Sequence, residues 1–304
     1  MIRWSAVAPA STSNLGPGFD CLGLALGLRL TATATRIESG FRIERKGEGS
    51  DLAIDPHRDA VLASFRRLCR AAGRPTPTIA LSIDSQIPVA RGLGSSAAAI
   101  VAGLSLANRW LGNRFTREDL LAQAIAIEGH PDNVSASLYG GLTLSLPRSG
   151  GAVEALRIRP PAGIGITLVI PEIRVSTEKA RALLPKSVPL AAAAANTARA
   201  MALLHALERR RFDLLADALH DVYHVPYRAR LIPGYGRVVE AGLRAGAAGV
   251  TISGSGPTLL AFHAPGAGAR VGAAMVRAFA RSRIRARAVP GRIDRRGAQS
   301  RVQR

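Results

Sequence analysis

Residues 88 to 99 read Pro-Val-Ala-Arg-Gly-Leu-Gly-Ser-Ser-Ala-Ala-Ala and pass without a break into a helix-forming stretch, Ala97 to Leu111. Such a run sets a tight glycine turn against a helix N-terminus. Gly92 and Gly94 let the backbone approach an anion closely, Ser95 and Ser96 add hydroxyls, and the unpaired N–H groups and positive dipole end of the helix converge on the same spot. The arrangement is a phosphate cradle, and a nucleoside triphosphate is its expected guest. The lysine that ends a Walker A sequence, G-x-x-x-x-G-K-[ST], is missing, so the loop is not a P-loop. Taken alone, the run also suits an ordinary glycine turn with serine caps.

Three other segments carry chemistry. Pro9 to Asp20 forms a polar stretch between two predicted strands, in which Asn14 supplies a donor and an acceptor and Asp20 a negative charge suited to an ammonium group. An Asx-type turn in a hairpin would look similar. Glu128-Gly129-His130-Pro131-Asp132-Asn133 follows a predicted helix and sets two carboxylates, an imidazole and an amide within six positions. Together they could hold a metal and orient a hydroxyl. The histidine pair of a helix-borne zinc site is absent, so a hard magnesium ion on oxygen ligands fits better. A glycine-proline helix stop with Asp132 capping a following helix, Val134 to Leu138, is compatible with the same residues. The third segment, Ile252 to Thr258, joins two apolar strands through Gly254 and Gly256, which permit close backbone approach to a ligand or simply a tight hairpin.

Strands are predicted over Ile2 to Ala8, Leu22 to Thr35, Phe41 to Arg45, Thr78 to Ile83 and Gly141 to Leu146. Helices are predicted over Asp59 to Ala72, Ala97 to Leu111 and Arg117 to Glu128, the last opened by Thr116. Ser149-Gly150-Gly151 and Pro160-Pro161 punctuate the chain, and the lobe boundary is placed between them. Beyond it, strands are expected at Gly165 to Ile170, Gly249 to Ser253, Thr258 to His263 and Arg283 to Val289. Helices are expected at Thr177 to Leu184, Leu190 to Arg210, Gly236 to Ala245 and Ala269 to Arg281. With 304 residues, 47% of them hydrophobic, the chain can bury a large core in two lobes. The mixture implies an α+β, two-lobed fold, each lobe with helices packed on a largely antiparallel sheet, divided as 1–153 and 154–304.

The formal charge of +20 invites a nucleic-acid reading. Against it, aromatics are only 4%, and the arginines are dispersed through helical patterns instead of forming a footprint. A mild pull on anionic substrates is the remaining consequence. The basic end, from about 292 and especially Arg295 to Arg304, has no apolar period and is expected to be a frayed tail. Cys21 and Cys69 are too few for a disulfide framework and are read as small buried hydrophobes. No apolar run reaches the length of a membrane span and Met1 to Ser11 lacks a signal core, so a cytoplasmic protein is expected.

In order and spacing, the segments resemble the signature motifs of the GHMP kinase superfamily. Asn14 to Gly23, Glu128 to Asn133, Ser176 to Arg181 and His224 to Arg228 are similar to its homoserine kinase branch over nearly the whole chain. The resemblance implies a two-lobed kinase that uses ATP and Mg²⁺ and phosphorylates the hydroxyl of L-homoserine in threonine biosynthesis. It assigns the ATP phosphates to Pro88, Arg91, Gly92, Leu93, Gly94, Ser95, Ser96 and Ala97, and magnesium to Ser96 and Glu128. The substrate ammonium falls to Asp20 and its carboxylate to Arg181 and Arg228, with Asn14 and His130 completing the pocket. An arginine fork matches the two oxygens of a carboxylate. Asn133 is implied beside the reacting hydroxyl, where the sugar and mevalonate branches carry an aspartate base, and Asp132 is the fallback base. Where relatives often carry an asparagine and a bulky aliphatic near the adenine, this chain reads Asp59-Ala60, which leaves base preference open. The implied partners are the small-molecule substrate and ATP, with no membrane or nucleic acid and with a homodimer left open. Two rival readings are a GHMP kinase for another small alcohol and a non-catalytic ligand sensor on the same fold.

Overall fold

The computed structural model describes residues 2–52, 55, 58–159 and 163–303. Pro160-Pro161, at the expected lobe boundary, lies outside the described residues, as do Met1 and Arg304. The chain opens with a long hairpin of β1 (Arg3–Asn14) and β2 (Gly18–Arg36), then β3 (Phe41–Gly47), α1 (Ala60–Ala71), β4 (Ile79–Ser85), α2 (Ser95–Trp110), α3 (Arg117–Glu128), α4 (Asp132–Tyr139), β5 (Leu142–Pro147) and β6 (Val153–Ile158). There follow β7 (Gly165–Pro171), α5 (Thr177–Ala182), α6 (Leu190–Arg209), α7 (Leu215–Ala218), α8 (Val225–Arg228), α9 (Tyr235–Arg244), β8 (Ala247–Ile252), β9 (Leu259–His263), α10 (Gly268–Ala280), β10 (Ala286–Pro290) and β11 (Gln299–Gln303).

Seven strands form one sheet in the order β11-β1-β2-β4-β3, with β5 joined to β2 and β6 to β5. All its pairings are antiparallel except β3 with β4. The second sheet, β10-β7-β9-β8, is antiparallel throughout. The fold is therefore α+β. Alternation along β7 shows how it is layered: Leu168 and Ile170 point into the large core shared with the first sheet, while Val169 joins a second cluster with Val238, Val271, Met275 and Phe279 of α9 and α10. In the large core α2 buries an almost continuous face, Ala97 to Asn108, against β1 and β2. Its small alanines and Gly103 let α1 come close, since a side chain at Gly103 would strike the Val61 backbone.

Three expectations need correction. The stretch Pro9 to Asn14 is not a loop but the buried second half of β1, and the connection to β2 is only Leu15-Gly16-Pro17. A continuous strand of small and polar residues hides its period because both faces are covered. The segment between Ser149-Gly150-Gly151 and Pro160 contains a strand, β6, hydrogen-bonded to β5. Nor is the basic end frayed. Asp294, almost fully buried, donates its N–H to the Ala25 carbonyl and accepts through Oδ1 from Arg296 and Gly297, and β11 then pairs with β1 from Arg3↔Gln303 to Val7↔Gln299. An edge strand exposed on its side chains needs no apolar alternation, because the backbone ladder holds it, and hydropathy cannot see that ladder.

Candidate active site

The nest is built by three left-handed residues in five, Ala90 (φ 55°), Gly92 (φ 72°) and Gly94 (φ 66°). A Cβ at Gly92 would meet the Ser253 backbone, and one at Gly94 the Ser11 hydroxyl, so both positions require glycine. The helix begins at Ser95, two residues earlier than its hydropathy implied, with Gly94 as a cap that offers no side-chain hydrogen bond. The first-turn N–H groups of Ser95, Ser96 and Ala97 therefore face the loop without an intrahelical partner. Neighbouring segments clamp the nest. Ser11 N–H donates to the Leu93 carbonyl (3.1 Å), Val175 N–H to that of Ala90 (3.2 Å), and the Ser253 hydroxyl to that of Gly92 (2.7 Å).

A cavity of about 260 Å³ opens in front of this turn. Gly92 to Ser96 form one wall, Glu128, His130, Asp132 and Asn133 a second, and Asn14, Asp20, Arg181 and Arg228 a third. The structure thus brings together motifs that lie far apart in the sequence, from Asn14 to Arg228. Of the expected phosphate-binding stretch, Pro88, Arg91 and Ala97 do not line it: the Ala97 methyl is fully buried in the core, and Arg91 contributes its carbonyl to Thr258 N–H.

On the second wall, Ser96 donates its hydroxyl to Glu128 Oε2 at 2.8 Å. Burial pushes the Glu128 pKa up, and the Ser96 hydrogen bond only partly offsets it. Two hard oxygens side by side suit Mg²⁺, which keeps several waters and takes further ligands from phosphates. Among the described residues, no group of three or more His, Cys, Asp or Glu side chains could hold a metal ion by itself. His130 Nδ1 lies 2.8 Å from Asp132 Oδ1, and its Nε2 3.8 Å from Glu128 Oε1. Burial works against the imidazolium, but the hydrogen bond and charge of Asp132, then the charge of Glu128, outweigh it and raise the His130 pKa. Asp132 Oδ1 also accepts the Asn133 N–H at 2.7 Å. The Asn133 amide is held at both ends, Oδ1 accepting from Ser11 Oγ and Nδ2 donating to Ser13 Oγ, each at 2.9 Å.

The third wall holds the charges. Asp20 and Arg181 were expected to grip opposite ends of a ligand; here they grip each other, Nη1 and Nη2 donating to the two carboxylate oxygens at 3.0 and 2.7 Å. Their side chains are 32% and 36% exposed, so the pair is half-buried and lies within reach of a ligand entering the cavity. Arg228 is buried, and burial followed by the charge of Arg181 lowers its pKa to about 10. It remains a cation at neutral pH. The Phe19 ring lies near both guanidiniums, 5.6 Å from Arg181 Cζ and 5.4 Å from Arg228 Cζ. Asn14, itself left-handed, accepts the Asp20 N–H and donates to the Gly254 carbonyl, so it shapes the wall from within.

A second cavity of about 210 Å³ shares Val89, Ser95 and Ser96 with the first and extends to Arg45, Lys46 and Asp59. Asp59 is not free to read a base there: its Oδ1 caps α1 by accepting from Leu62 N–H, and its Oδ2 pairs with Arg45. Sequence reasoning gave no role to Ser11, Ser13 or His224. The two serines alternate on one face of β1, a period-two signal that becomes visible once the strand is carried on to Asn14.

Nest, oxygen pair and charged wall around one cavity define a small-molecule kinase, and two family models agree, GHMP kinases N terminal domain over residues 59–141 and GHMP kinases C terminal over residues 203–281. The chain belongs to the GHMP kinase family. Its curated relatives include the homoserine kinase of Synechococcus sp. (strain CC9902), 43% identical over 92% of this chain and 90% of that protein. The homoserine kinase of Desulfitobacterium hafniense is 38% identical over 95% of this chain and 97% of that one. The crystal structure of homoserine kinase from Cytophaga hutchinsonii matches with a TM-score of 0.88 at 31% identity, covering 98% of this chain and 97% of that chain.

Proposed function

We propose that the chain transfers the γ-phosphoryl group of ATP to the side-chain hydroxyl of L-homoserine, giving O-phospho-L-homoserine for threonine biosynthesis in the cytoplasm. One observation carries the reading: a carboxylate and two guanidiniums stand across a single cavity from a lysine-free phosphate nest. A zwitterionic amino acid offers a counter-charge to each member of that trio. Its ammonium replaces Arg181 at Asp20, and its carboxylate takes up Arg181 and Arg228. A neutral sugar would leave the Asp20–Arg181 pair closed, and mevalonate, with a carboxylate but no ammonium, would draw Arg181 away and leave Asp20 uncompensated.

The nest N–H groups of Ser95 and Ser96 bind the triphosphate, and the cavity sharing Val89 receives the nucleoside. Ser96 and Glu128 would hold Mg²⁺, which supplies charge neutralisation at the phosphate oxygens. With the ammonium and carboxylate fixed, the hydroxyl is directed toward the nest and attacks the γ-phosphorus in line, and the bond to the ADP oxygen breaks. Asn133 orients that hydroxyl. Such a transfer needs positioning and electrostatic stabilisation more than a strong base. With Glu128 committed to the metal, Asp132 is the carboxylate left to take the departing proton. A coupled ADP-release assay with Mg²⁺ and a panel of homoserine, threonine, serine, mevalonate, galactose and shikimate tests the reading. Homoserine should be turned over best; ADP release with another member of the panel and none with homoserine overturns it.

A further inference from the structure

Behind Arg228 lies a histidine with no exposed surface and no part in the steps above. His224 precedes α8, where Asp221 Oδ2 accepts the N–H groups of His224 and Val225, each at 2.7 Å. Its Nε2 is 2.9 Å from the Gly16 carbonyl and its Nδ1 3.3 Å from Arg228 Nη1. A carbonyl can only accept and a guanidinium can only donate, so both neighbours select one tautomer, with the proton on Nε2 and a lone pair on Nδ1. The groups around the ring agree. Asp221 Oδ2 lies 3.7 Å from Nε2, on the protonated side, and the Phe19 ring packs 5.5 Å from the imidazole centroid. Burial, with Arg228 adding to it and Asp221 opposing, keeps the His224 pKa below its ordinary value and the ring neutral. Arg228 has few other anchors: Nη1 also donates to the Gly254 carbonyl at 3.0 Å, and Nε has no partner.

We propose that His224 is a positioning residue for the reaction: its Nδ1 lone pair, with the tautomer set by the Gly16 carbonyl, aims the Arg228 guanidinium into the acceptor cavity. The inference rests on the reading of Arg228 as a carboxylate-binding group. Two substitutions separate aiming from mere filling of space. Asparagine puts its Oδ1 where Nδ1 stands and gives up the Gly16 bond; glutamine puts its Nε2 where the ring Nε2 stands and gives up the acceptor for Arg228.

At saturating ATP, His224→Asn should keep the homoserine KM within about threefold of wild type, while His224→Gln raises it about tenfold or more, the scale of one hydrogen bond to a charged group. The ATP KM should change little in either. Equal effects, or the reverse order, overturn the proposal. Arg228→Met in the same series tests the layer beneath: an unchanged homoserine KM there overturns the carboxylate reading, whereas a raised KM there with none in His224→Gln overturns only the positioning role. If neither His224 variant folds, nitrogen-15 NMR of the wild-type ring decides. An Nε2–H tautomer at neutral pH supports the proposal, and an Nδ1–H tautomer or an imidazolium overturns it.

Discussion

Asn133 is the residue on which the chemistry of the second wall turns. Its amide is pinned between the Ser11 and Ser13 hydroxyls, so one Nδ2 hydrogen remains for a ligand in a fixed direction. Asn133→Ala should lower kcat about a hundredfold, the effect of losing one preorganised donor, and leave the ATP KM within about threefold. Steady-state kinetics with an unchanged kcat would remove Asn133 from the site. His130 makes a different prediction, because its raised pKa is also a statement about stability. The folded state binds the proton more tightly than the unfolded chain does. The stabilisation is therefore complete below the ordinary histidine pKa and is lost as pH climbs through the raised one. His130→Ala should accordingly cost more in Tm at about pH 6 than at about pH 9 in paired thermal melts. An equal loss at both would show that the Asp132 contact does not favour the charged ring.

At the scale of elements, the loop from Ala90 to Gly94 and the first turn of α2 act as one unit. The loop supplies alternating left-handed residues and the helix supplies the donors, and the Ser11, Val175 and Ser253 hydrogen bonds hold the two in register. Gly94→Ala would add about 1–2 kcal/mol of left-handed strain and press a methyl group against the Ser11 hydroxyl. Both a lower Tm and an ATP KM raised about tenfold should follow, since displaced N–H groups lose charge-assisted bonds to phosphate. A variant with wild-type ATP KM would mean that phosphate binding does not depend on this turn. Ser11 also holds Asn133, so the disturbance should reach kcat too.

At the scale of the molecule, the end of the chain returns to its beginning. The segment from Asp294 to Gln303 ties β1, β2 and α4 together, and Arg109 of α2 donates to the Ser300 carbonyl at 2.8 Å. The helix that carries the phosphate nest is thus braced at its far end by the last strand. Deleting residues 299–304 would strip the ladder from the β1 edge and release Arg109. A fall of about 2–6 °C in Tm is expected in a melt, with the ATP KM rising as α2 loses its brace. Wild-type melting of the truncated chain would show that β11 contributes nothing to the fold.

Local sequence determined a good deal here. The glycine-serine turn, the Thr116 capping box, the helix stop at Gly129 and the short apolar runs of β7 and β9 are each written in neighbouring residues, because backbone conformation and local hydrophobicity act over a few positions. The two-sided burial of Pro9 to Asn14, strand β6, the pairing of β11 and the role of His224 could be read only from the tertiary structure. A backbone ladder at an edge has no hydropathy, and a tautomer is set by a carbonyl and a guanidinium that the chain brings from distant positions. The same division holds for the charged wall. The sequence named Asp20, Arg181 and Arg228 one at a time, but only folding makes two of them a half-buried ion pair and the third a buried cation.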